Sequence, residues 1–278
     1  MSEKSDKKPR RLVIACHEND KVWAVDLQNE LDVPDVMYAI KDIKNQQDVK
    51  QFFADFSVTS DIVVYLMTDQ TSAWMQQRLS ENVMNIHKRG LIVIPILIGV
   101  FNVPFDFFSP FPLLSGSGKM KVLADKVSKV ARNYLKIDFG LISPMNFENL
   151  VKGVLKSYRF ENIYLTYSDH VDFGYDMMCT FRNEKEEVED WLVEIKYAKE
   201  SRFTIRSIDQ IIQQDRGHYL ANHKLMLVTN GFFTSIVEAY LSATMADKSI
   251  TIYVVDGWKL RNLIAHNNNL VEEYFPYE

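Results

Sequence analysis

Short apolar segments alternate with amphipathic segments along the first half of the chain, and this alternation restricts the folds that the chain can adopt. Segments typical of strands are residues 12–16, 35–40, 62–67 and 91–99, and they alternate with segments of helical spacing at residues 20–31, 49–56, 72–88 and 119–135. Strands that alternate with helices predict βαβ units around a parallel sheet. The last strand segment is apolar almost throughout, as expected when helices cover both faces of a sheet. We therefore predict an α/β fold with a flavodoxin-like parallel sheet and helices on both faces.

Length and composition limit the class of protein. The 278 residues are enough for two domains, each with its own core. The formal net charge of −5 gives no whole-chain signature of nucleic-acid binding, so any basic surface must be local. The two cysteines are too few for a disulfide framework, and the longest apolar segment is too short to span a bilayer. We therefore expect a cytoplasmic protein with no membrane partner.

Turn signals divide the chain near its middle. Asp138-Phe139-Gly140 and Ser143-Pro144 separate two helical patterns. Residues 103–118 are rich in Pro, Phe, Ser and Gly, and they predict a long loop. We expect a disordered basic tail at residues 1–10, a first domain at 11–136, a linker at 137–144 and a second domain at 145–278.

The second half contains an aspartate and a Glu-x-Lys triplet on neighbouring predicted strands. Asp176 precedes Glu194 by 18 residues (194 − 176), and Lys196 follows two residues later. Because side chains alternate between the two faces of a strand, Glu194 and Lys196 share one face and Ile195 is expected to point into the core. Carboxylate oxygens suit Mg²⁺, which also takes phosphate oxygens, and a nearby lysine can orient or deprotonate an attacking water. This arrangement is typical of phosphodiester hydrolysis.

The order of the segments around this triplet carries a family resemblance. The segments are Phe147-Glu148 at a helix start, Gly174-Tyr175-Asp176, Glu194-Ile195-Lys196, a helix at 205–214, a strand-turn-helix segment at 224–234, and a strand at 250–257 before the terminal helix. This order resembles the Mrr-like branch of the PD-(D/E)XK nucleases, the catalytic domain of type IV restriction endonucleases. The resemblance covers residues 139–278 and implies a restriction-endonuclease-like α/β/α core.

The resemblance implies a metal site and a catalytic lysine. Asp176 and Glu194, with the Ile195 carbonyl, are expected to hold Mg²⁺ (or Mn²⁺). Lys196 is expected to position the attacking water. Asp172 is an alternative to Asp176 as a metal ligand, although the Gly-x-Asp pattern favours Asp176.

Two further positions are candidates for the same site. Glu148 is either an additional carboxylate near the metal or an early-helix charge that the helix dipole stabilises. Gln210 is expected to orient the lysine or to contact a backbone phosphate, and Gln213 and Gln214 are alternatives on the same helix. The alternative for each of these glutamines is a plain solvated helix face.

Four segments of the first half, residues 12–20, 61–68, 72–74 and 94–98, carry a second resemblance. Over residues 10–136 the chain resembles bacterial TIR (Toll/interleukin-1 receptor) or SEFIR domains. NAD-cleaving members of that family carry a glutamate four residues after the tryptophan that corresponds to Trp74. Here that position is Arg78, and Glu81 lies one turn further on. We therefore expect no NAD hydrolysis.

Together, the two resemblances imply a Mg²⁺-dependent DNA endonuclease with a TIR-like domain that regulates it or assembles it. Defence against foreign DNA, a homo-oligomer and an activating ligand or partner protein at the TIR-like domain are further expectations. The alternatives are a TIR-type NAD hydrolase or a signalling scaffold with an accessory nucleic-acid-binding domain.

Overall fold

The computed structural model describes residues 10–44, 46–54, 61–99, 107–116, 119–166, 175–197, 203–214, 223–248 and 250–276. The chain divides into two compact units, Met1–Lys136 and Ile137–Glu278, and each is described by itself. Residues 1–9 of the predicted tail lie outside the described residues, and so do Asp172 and Gly174.

Strands and helices alternate through the N-terminal unit in the predicted order. The strands are β1 (Arg10–His17), β2 (Val36–Ile43), β3 (Asp61–Thr68), β4 (Ile92–Ile98) and β5 (Leu114–Gly116). The helices are α1 (Lys21–Glu30), α2 (Gln46–Ala54), α3 (Ser72–Arg89) and α4 (Met120–Lys136). All strand pairs are parallel, in the order β2-β1-β3-β4-β5, which is the flavodoxin-like order. The predicted parallel sheet is therefore confirmed.

The central strands explain the long apolar segments of the sequence. Residues 62–68 of β3 and 93–98 of β4 are all buried, so both faces of these strands are covered. Gly90 ends α3 in the left-handed conformation (φ 62°), which a glycine adopts without steric cost. The Gly90 N–H donates to the His87 carbonyl at 2.8 Å and turns the chain toward β4.

Two predictions for this unit need correction. β5 lies inside the segment that we expected to be a long loop, and it pairs with the end of β4 from Ile96 to Ile98. A strand of three residues among Pro, Ser and Gly has too little periodicity to be recognised from sequence. β1 begins at Arg10, so this residue belongs to the sheet and not to the predicted tail.

The C-terminal unit contains a second sheet. Its strands are β6 (Phe160–Leu165), β7 (Met177–Arg182), β8 (Val188–Lys196), β9 (Lys224–Thr229) and β10 (Ile252–Val255). Its helices are α5 (Pro144–Ser157), α6 (Ile205–Gln214), α7 (Ser235–Lys248), α8 (Gly257–Ala265) and α9 (Asn268–Tyr274). The strand order is β10-β9-β8-β7-β6, antiparallel from β6 to β8 and parallel from β8 to β10. β8 is therefore the strand at which the sheet changes from antiparallel to parallel.

Helices cover this sheet on both faces. One face of β8 and β9 presents Leu192, Leu225 and Leu227 to a buried apolar cluster that includes residues of α6 and α7. The alternate residues Trp191 and Val193 point to the other face and are also buried. α5, α8 and α9 cover that other face, where the Tyr158 hydroxyl after α5 donates to the Leu263 carbonyl of α8 at 3.0 Å. The unit is an α/β/α sandwich.

The segment predicted as a linker belongs to the C-terminal unit. Phe139 is buried, and its ring lies 6.0 Å from that of Phe147 and 6.1 Å from that of Phe275. α5 begins at Pro144, and the Ser143 hydroxyl caps it by accepting from the Asn146 N–H at 3.2 Å. The apolar residues of 137–142 therefore pack into a core, which their composition alone does not distinguish from a linker. No helix in the described part of the chain is long and apolar enough to cross a membrane.

Candidate active site

Asp176 is held by three hydrogen bonds at the start of β7. Its backbone N–H donates to the Val193 carbonyl of β8, and its carbonyl accepts from the Thr166 N–H that follows β6, both at 3.1 Å. Its carboxylate Oδ2 accepts from the Ile195 N–H at 2.6 Å. The regular pairing of β7 with β8 ends at Met177, so this carboxylate takes the place of the next backbone acceptor. The side chain is thereby fixed against the centre of the Glu-x-Lys triplet.

Glu194 and Lys196 lie on the face of β8 that contains Leu192, as the alternation of side chains predicts. Both residues are half-buried at the end of the apolar cluster. The Lys196 ammonium lies 4.9 Å from the ring centroid of Phe203, which is buried. Phe203 in turn stacks on Phe233, with ring centroids 5.0 Å apart and planes 11° apart. The attraction of the ammonium to the face of the Phe203 ring restricts where the ammonium can lie.

The electrostatics of Asp176 reflect this position. Burial raises the pKa of the Asp176 carboxyl, while the hydrogen bond from Ile195 and the positive charge of Lys196 lower it, and the effect of burial is the larger. A carboxylate that has lost water without full compensation is well placed to receive a cation.

The donor set fits a hard divalent cation. The N–H and C=O of one strand residue point to the same neighbouring strand, so the Ile195 carbonyl faces the side on which Asp176 lies. Two carboxylates and one carbonyl are oxygen donors of the type that Mg²⁺ and Mn²⁺ prefer. Within the described residues, no group of three or more His, Cys, Asp or Glu side chains could hold a metal ion. Three donors leave coordination positions for waters, of which Mg²⁺ usually keeps several.

Ile195 itself differs from expectation. It is half-buried, whereas the sequence pattern predicted a core side chain. The reason is its place near the end of β8, beyond the fully buried residues Trp191 to Val193.

Glu148 lies in the first turns of α5 and is half-buried. The preceding residue, Phe147, is buried, and its ring lies 5.3 Å from that of Tyr197, the residue that follows β8. The Tyr197 hydroxyl donates to the Phe139 and Ile142 carbonyls at 3.1 and 2.8 Å. The start of α5 is thus tied to the end of the Glu-x-Lys strand, while a role of Glu148 at the metal stays a prediction.

Gln210 is not part of the group that the structure brings together. α6 buries Ile208, Ile211 and Ile212, and Gln210 lies exposed on the opposite side of the helix with Gln213. Its expected contact with Lys196 or with a phosphate stays a prediction. The sequence gives no sign of the aromatic support of Lys196, because Phe203 has the pattern of an ordinary apolar residue before a helix.

The N-terminal unit contains a separate polar group on α3. The Arg78 guanidinium donates to Glu81 at 2.7 Å and lies 5.5 Å from the centroid of the Trp74 ring. The His17 ring meets the same tryptophan edge-on at 5.6 Å. Glu81 is therefore neutralised by the arginine that stands four residues after Trp74.

Both cysteines are buried thiols. Burial raises the pKa of Cys179 to about 12. Burial, with Asp42 and Asp20 nearby, raises the pKa of Cys16 to about 12 as well. A thiol with so high a pKa is a poor nucleophile at neutral pH, so neither cysteine is a candidate catalytic group.

A match to a known family lies in the C-terminal unit, whereas the likeness of the chain to solved structures is weak. Two solved structures resemble the chain weakly: a hypothetical protein from Thermus thermophilus (10% identity, 96% of this chain and 79% of that one, TM-score 0.29) and a C2-type ketoreductase from a modular polyketide synthase (11% identity, 89% and 55%, TM-score 0.25). No curated protein matches significantly. Residues 141–264 match the restriction endonuclease family Mrr_cat, and this segment contains Asp176, Glu194 and Lys196. The match supports a nuclease domain of the restriction endonuclease type in the C-terminal unit.

Proposed function

We propose that the protein is a metal-dependent DNA endonuclease whose active site comprises Asp176, Glu194 and Lys196. The observation that carries the proposal is the 2.6 Å hydrogen bond between the Asp176 carboxylate and the Ile195 N–H. This bond holds the aspartate beside the Glu-x-Lys triplet, which supports a site in which both carboxylates bind one metal ion. The family match over residues 141–264 supports the same chemistry.

Each residue has a role that follows from its position. Asp176, Glu194 and the Ile195 carbonyl would hold Mg²⁺ or Mn²⁺ at the end of β8. When bound, such a cation polarises the scissile phosphate and lowers the pKa of a coordinated water. Lys196, held over Phe203, orients the attacking water and offsets the charge that develops on the phosphate. Glu148 would assist as a further carboxylate and Gln210 as a contact to the DNA backbone.

The proposal extends to the whole chain. One site cuts one strand, so cleavage of both strands at once calls for a homo-oligomer. The N-terminal unit, with its flavodoxin-like sheet, would regulate or assemble the nuclease as a TIR-like domain, under the control of an activating ligand or partner. Type IV restriction in the cytoplasm, as defence against foreign DNA, is the biological role that we propose.

Plasmid cleavage with matched variants tests the active site. Asp176→Asn keeps an oxygen that can accept from the Ile195 N–H but removes the negative charge, so it separates metal binding from folding. We expect Asp176→Asn and Glu194→Ala to lower the nicking rate by more than about a hundredfold and to weaken Mg²⁺ binding in calorimetry. Lys196→Ala should lose cleavage and keep most of the metal affinity.

The control is Asp190→Asn, an exposed acidic residue on the same strand, which should cut at the wild-type rate. Nicking by Glu194→Ala at the wild-type rate would refute the assignment. A parallel incubation with NAD addresses the alternative enzyme. Because Arg78 pairs with Glu81, we expect no nicotinamide release, and release that Glu81→Ala abolishes would assign the activity to the N-terminal unit.

A further inference from the structure

A groove on the C-terminal unit, outside the proposed active site, is lined by two lysines and one glutamate. It has a volume of about 570 Å³ and lies between α5 and α9. Its lining residues are Asn146, Asn149, Lys152, Gly153, Lys156, Glu273 and Tyr274. Glu148, the α5 residue proposed for the metal site, does not line this groove, and Glu194 and Lys196 lie on the other face of the sheet, so the groove is separate from the candidate metal site.

A close approach of the two helices forms the floor of the groove. Gly153 faces Leu270 of α9, and a Cβ at this glycine would lie 2.8 Å from Leu270 Cδ2. Leu270 is buried, so α9 lies directly against α5 at this point. Asn149 and Lys156, about one turn before and after Gly153, lie on one wall of the groove. Glu273 and Tyr274 lie on the other wall.

The cations along α5 have no acidic partner in the described part of the chain. Lys152 and Lys156 lie one turn apart, which places their Cβ atoms about 6 Å from each other. Within the described residues neither forms an ion pair or a side-chain hydrogen bond, and Arg159, exposed just after the helix, forms no ion pair either. Other basic side chains of the protein do find partners, such as Lys224, which binds Glu189 at 2.6 Å. Lys152 and Lys156 line the groove against a single carboxylate, Glu273, so the groove has an excess of positive charge that attracts a polyanion.

We propose that this groove binds the sugar-phosphate backbone of DNA outside the cleavage site, through Lys152 and Lys156. The asparagine amides at 146 and 149 can donate to phosphate oxygens next to the two ammonium groups. Contacts of this type position a duplex without reading its sequence. The proposal rests on the proposed nuclease function, since it names DNA as the ligand. A contact there would hold a segment of substrate away from the cut.

Salt-dependent DNA binding tests the groove with the full-length protein. Binding of a labelled duplex is measured with EDTA present, so that no cleavage occurs, at several KCl concentrations. The double variant Lys152→Gln/Lys156→Gln should bind roughly tenfold more weakly, and its slope of log affinity against log salt should fall by about 2. The loss should be the same for unrelated DNA sequences.

Two controls distinguish the groove from general charge effects. The pair Lys121→Gln/Lys129→Gln removes the same charge from exposed positions of α4 and should leave the slope unchanged. Glu273→Gln removes a repelling carboxylate from the opposite wall and should strengthen binding about threefold. A gain of DNA affinity in the Glu273→Gln variant cannot result from misfolding.

Cleavage separates failure of this proposal from failure of the nuclease function. At saturating DNA, the Lys152→Gln/Lys156→Gln variant should cut at the wild-type single-turnover rate, because neither lysine is at the site of chemistry. If the wild type cuts DNA and the double variant keeps the wild-type affinity and salt slope, the groove proposal is wrong and the nuclease stands. If the wild type neither binds nor cuts DNA, both proposals are wrong.

Discussion

At the scale of single residues, His266 couples the stability of the C-terminal unit to pH. It ends α8, its Nδ1 lies 2.8 Å from the Asn262 carbonyl, and its Nε2 is buried. Burial lowers the pKa of this imidazole to about 4, although the bond to Asn262 opposes the shift. The folded protein therefore keeps the ring neutral at a pH where an unfolded chain would have protonated it.

The difference between the pKa of His266 in the folded and the unfolded chain predicts how the free energy of unfolding changes with pH. An unfolded histidine takes up its proton near pH 6.5, and the folded one does so only near pH 4. The neutral His266 contributes fully to the free energy of unfolding above pH 6.5. This contribution is lost as the pH falls to 4, and the free energy of unfolding then decreases by about 3 kcal/mol. Urea unfolding of wild type and His266→Gln at pH 7 and pH 4 measures it. The variant should lose about 3 kcal/mol less than the wild type, and equal losses would contradict the pKa.

At the scale of elements, three segments meet around Lys196 of the candidate site. The end of β8 supplies Lys196, the residues before α6 supply Phe203, and those before α7 supply Phe233. The two rings belong to the apolar cluster between the sheet and α6 and α7. The position of the ammonium therefore depends on how the two helices dock.

Phe203→Leu tests this support. The substitution keeps an apolar side chain but removes the ring face, and we expect the single-turnover cleavage rate to fall about fivefold, corresponding to ~1 kcal/mol of lost cation–π attraction. Mg²⁺ affinity should not change. Phe160→Leu is the matched control, because Phe160 is equally buried and its ring contacts are Phe181 and Trp191. An equal rate loss in both variants would mean that the effect is one of stability alone.

The elements also show what a sequence can reveal. Segments with strong periodicity have the predicted limits: α6 spans residues 205–214, and β9 begins at residue 224. The sequence does not predict β6, since Glu161 and Asn162 are exposed on this edge strand and the pairing shifts between Glu161 and Tyr164. Without a regular hydrophobic alternation, this segment has no strand pattern that can be recognised from sequence.

The candidate site is predictable only in part. The alternation of side chains between the two faces of a strand places Glu194 beside Lys196. This prediction needs no knowledge of the rest of the chain. The bond from Ile195 to Asp176 depends on where β7 ends, and the rings under Lys196 come from residues further along the chain. Contacts that depend on the docking of whole elements leave no local pattern in a sequence.

At the scale of the whole molecule, the limits of the second unit decide whether a fragment folds. Ile137, Phe139 and Ile142 are buried, and the carbonyls of the last two accept from Tyr197. We expect residues 137–278 to fold alone, to unfold in one cooperative transition and to retain Mg²⁺-dependent nicking.

Residues 145–278 are the matched control. They lack the Phe139 ring and both acceptors of Tyr197, so we expect a loss of stability of several kcal/mol, about 3 or more from the aromatic side chain alone. Circular dichroism during urea unfolding compares the two fragments. Equal stability would mean that residues 137–144 are a linker after all.

We expect the hairpin of β7 and β8 to bring two residues of the candidate site together early in folding. Asp176 and Glu194 are 18 residues apart (194 − 176), and the short connection at residues 183–187 joins β7 to β8. A contact of such low order forms within microseconds, whereas β9 and β10 must wait for the crossings of α6 and α7. We therefore expect a nascent or refolding chain to bring its two carboxylates together while both are still in open water. The later docking of the helices only removes the solvent around them and adds the rings beneath the lysine.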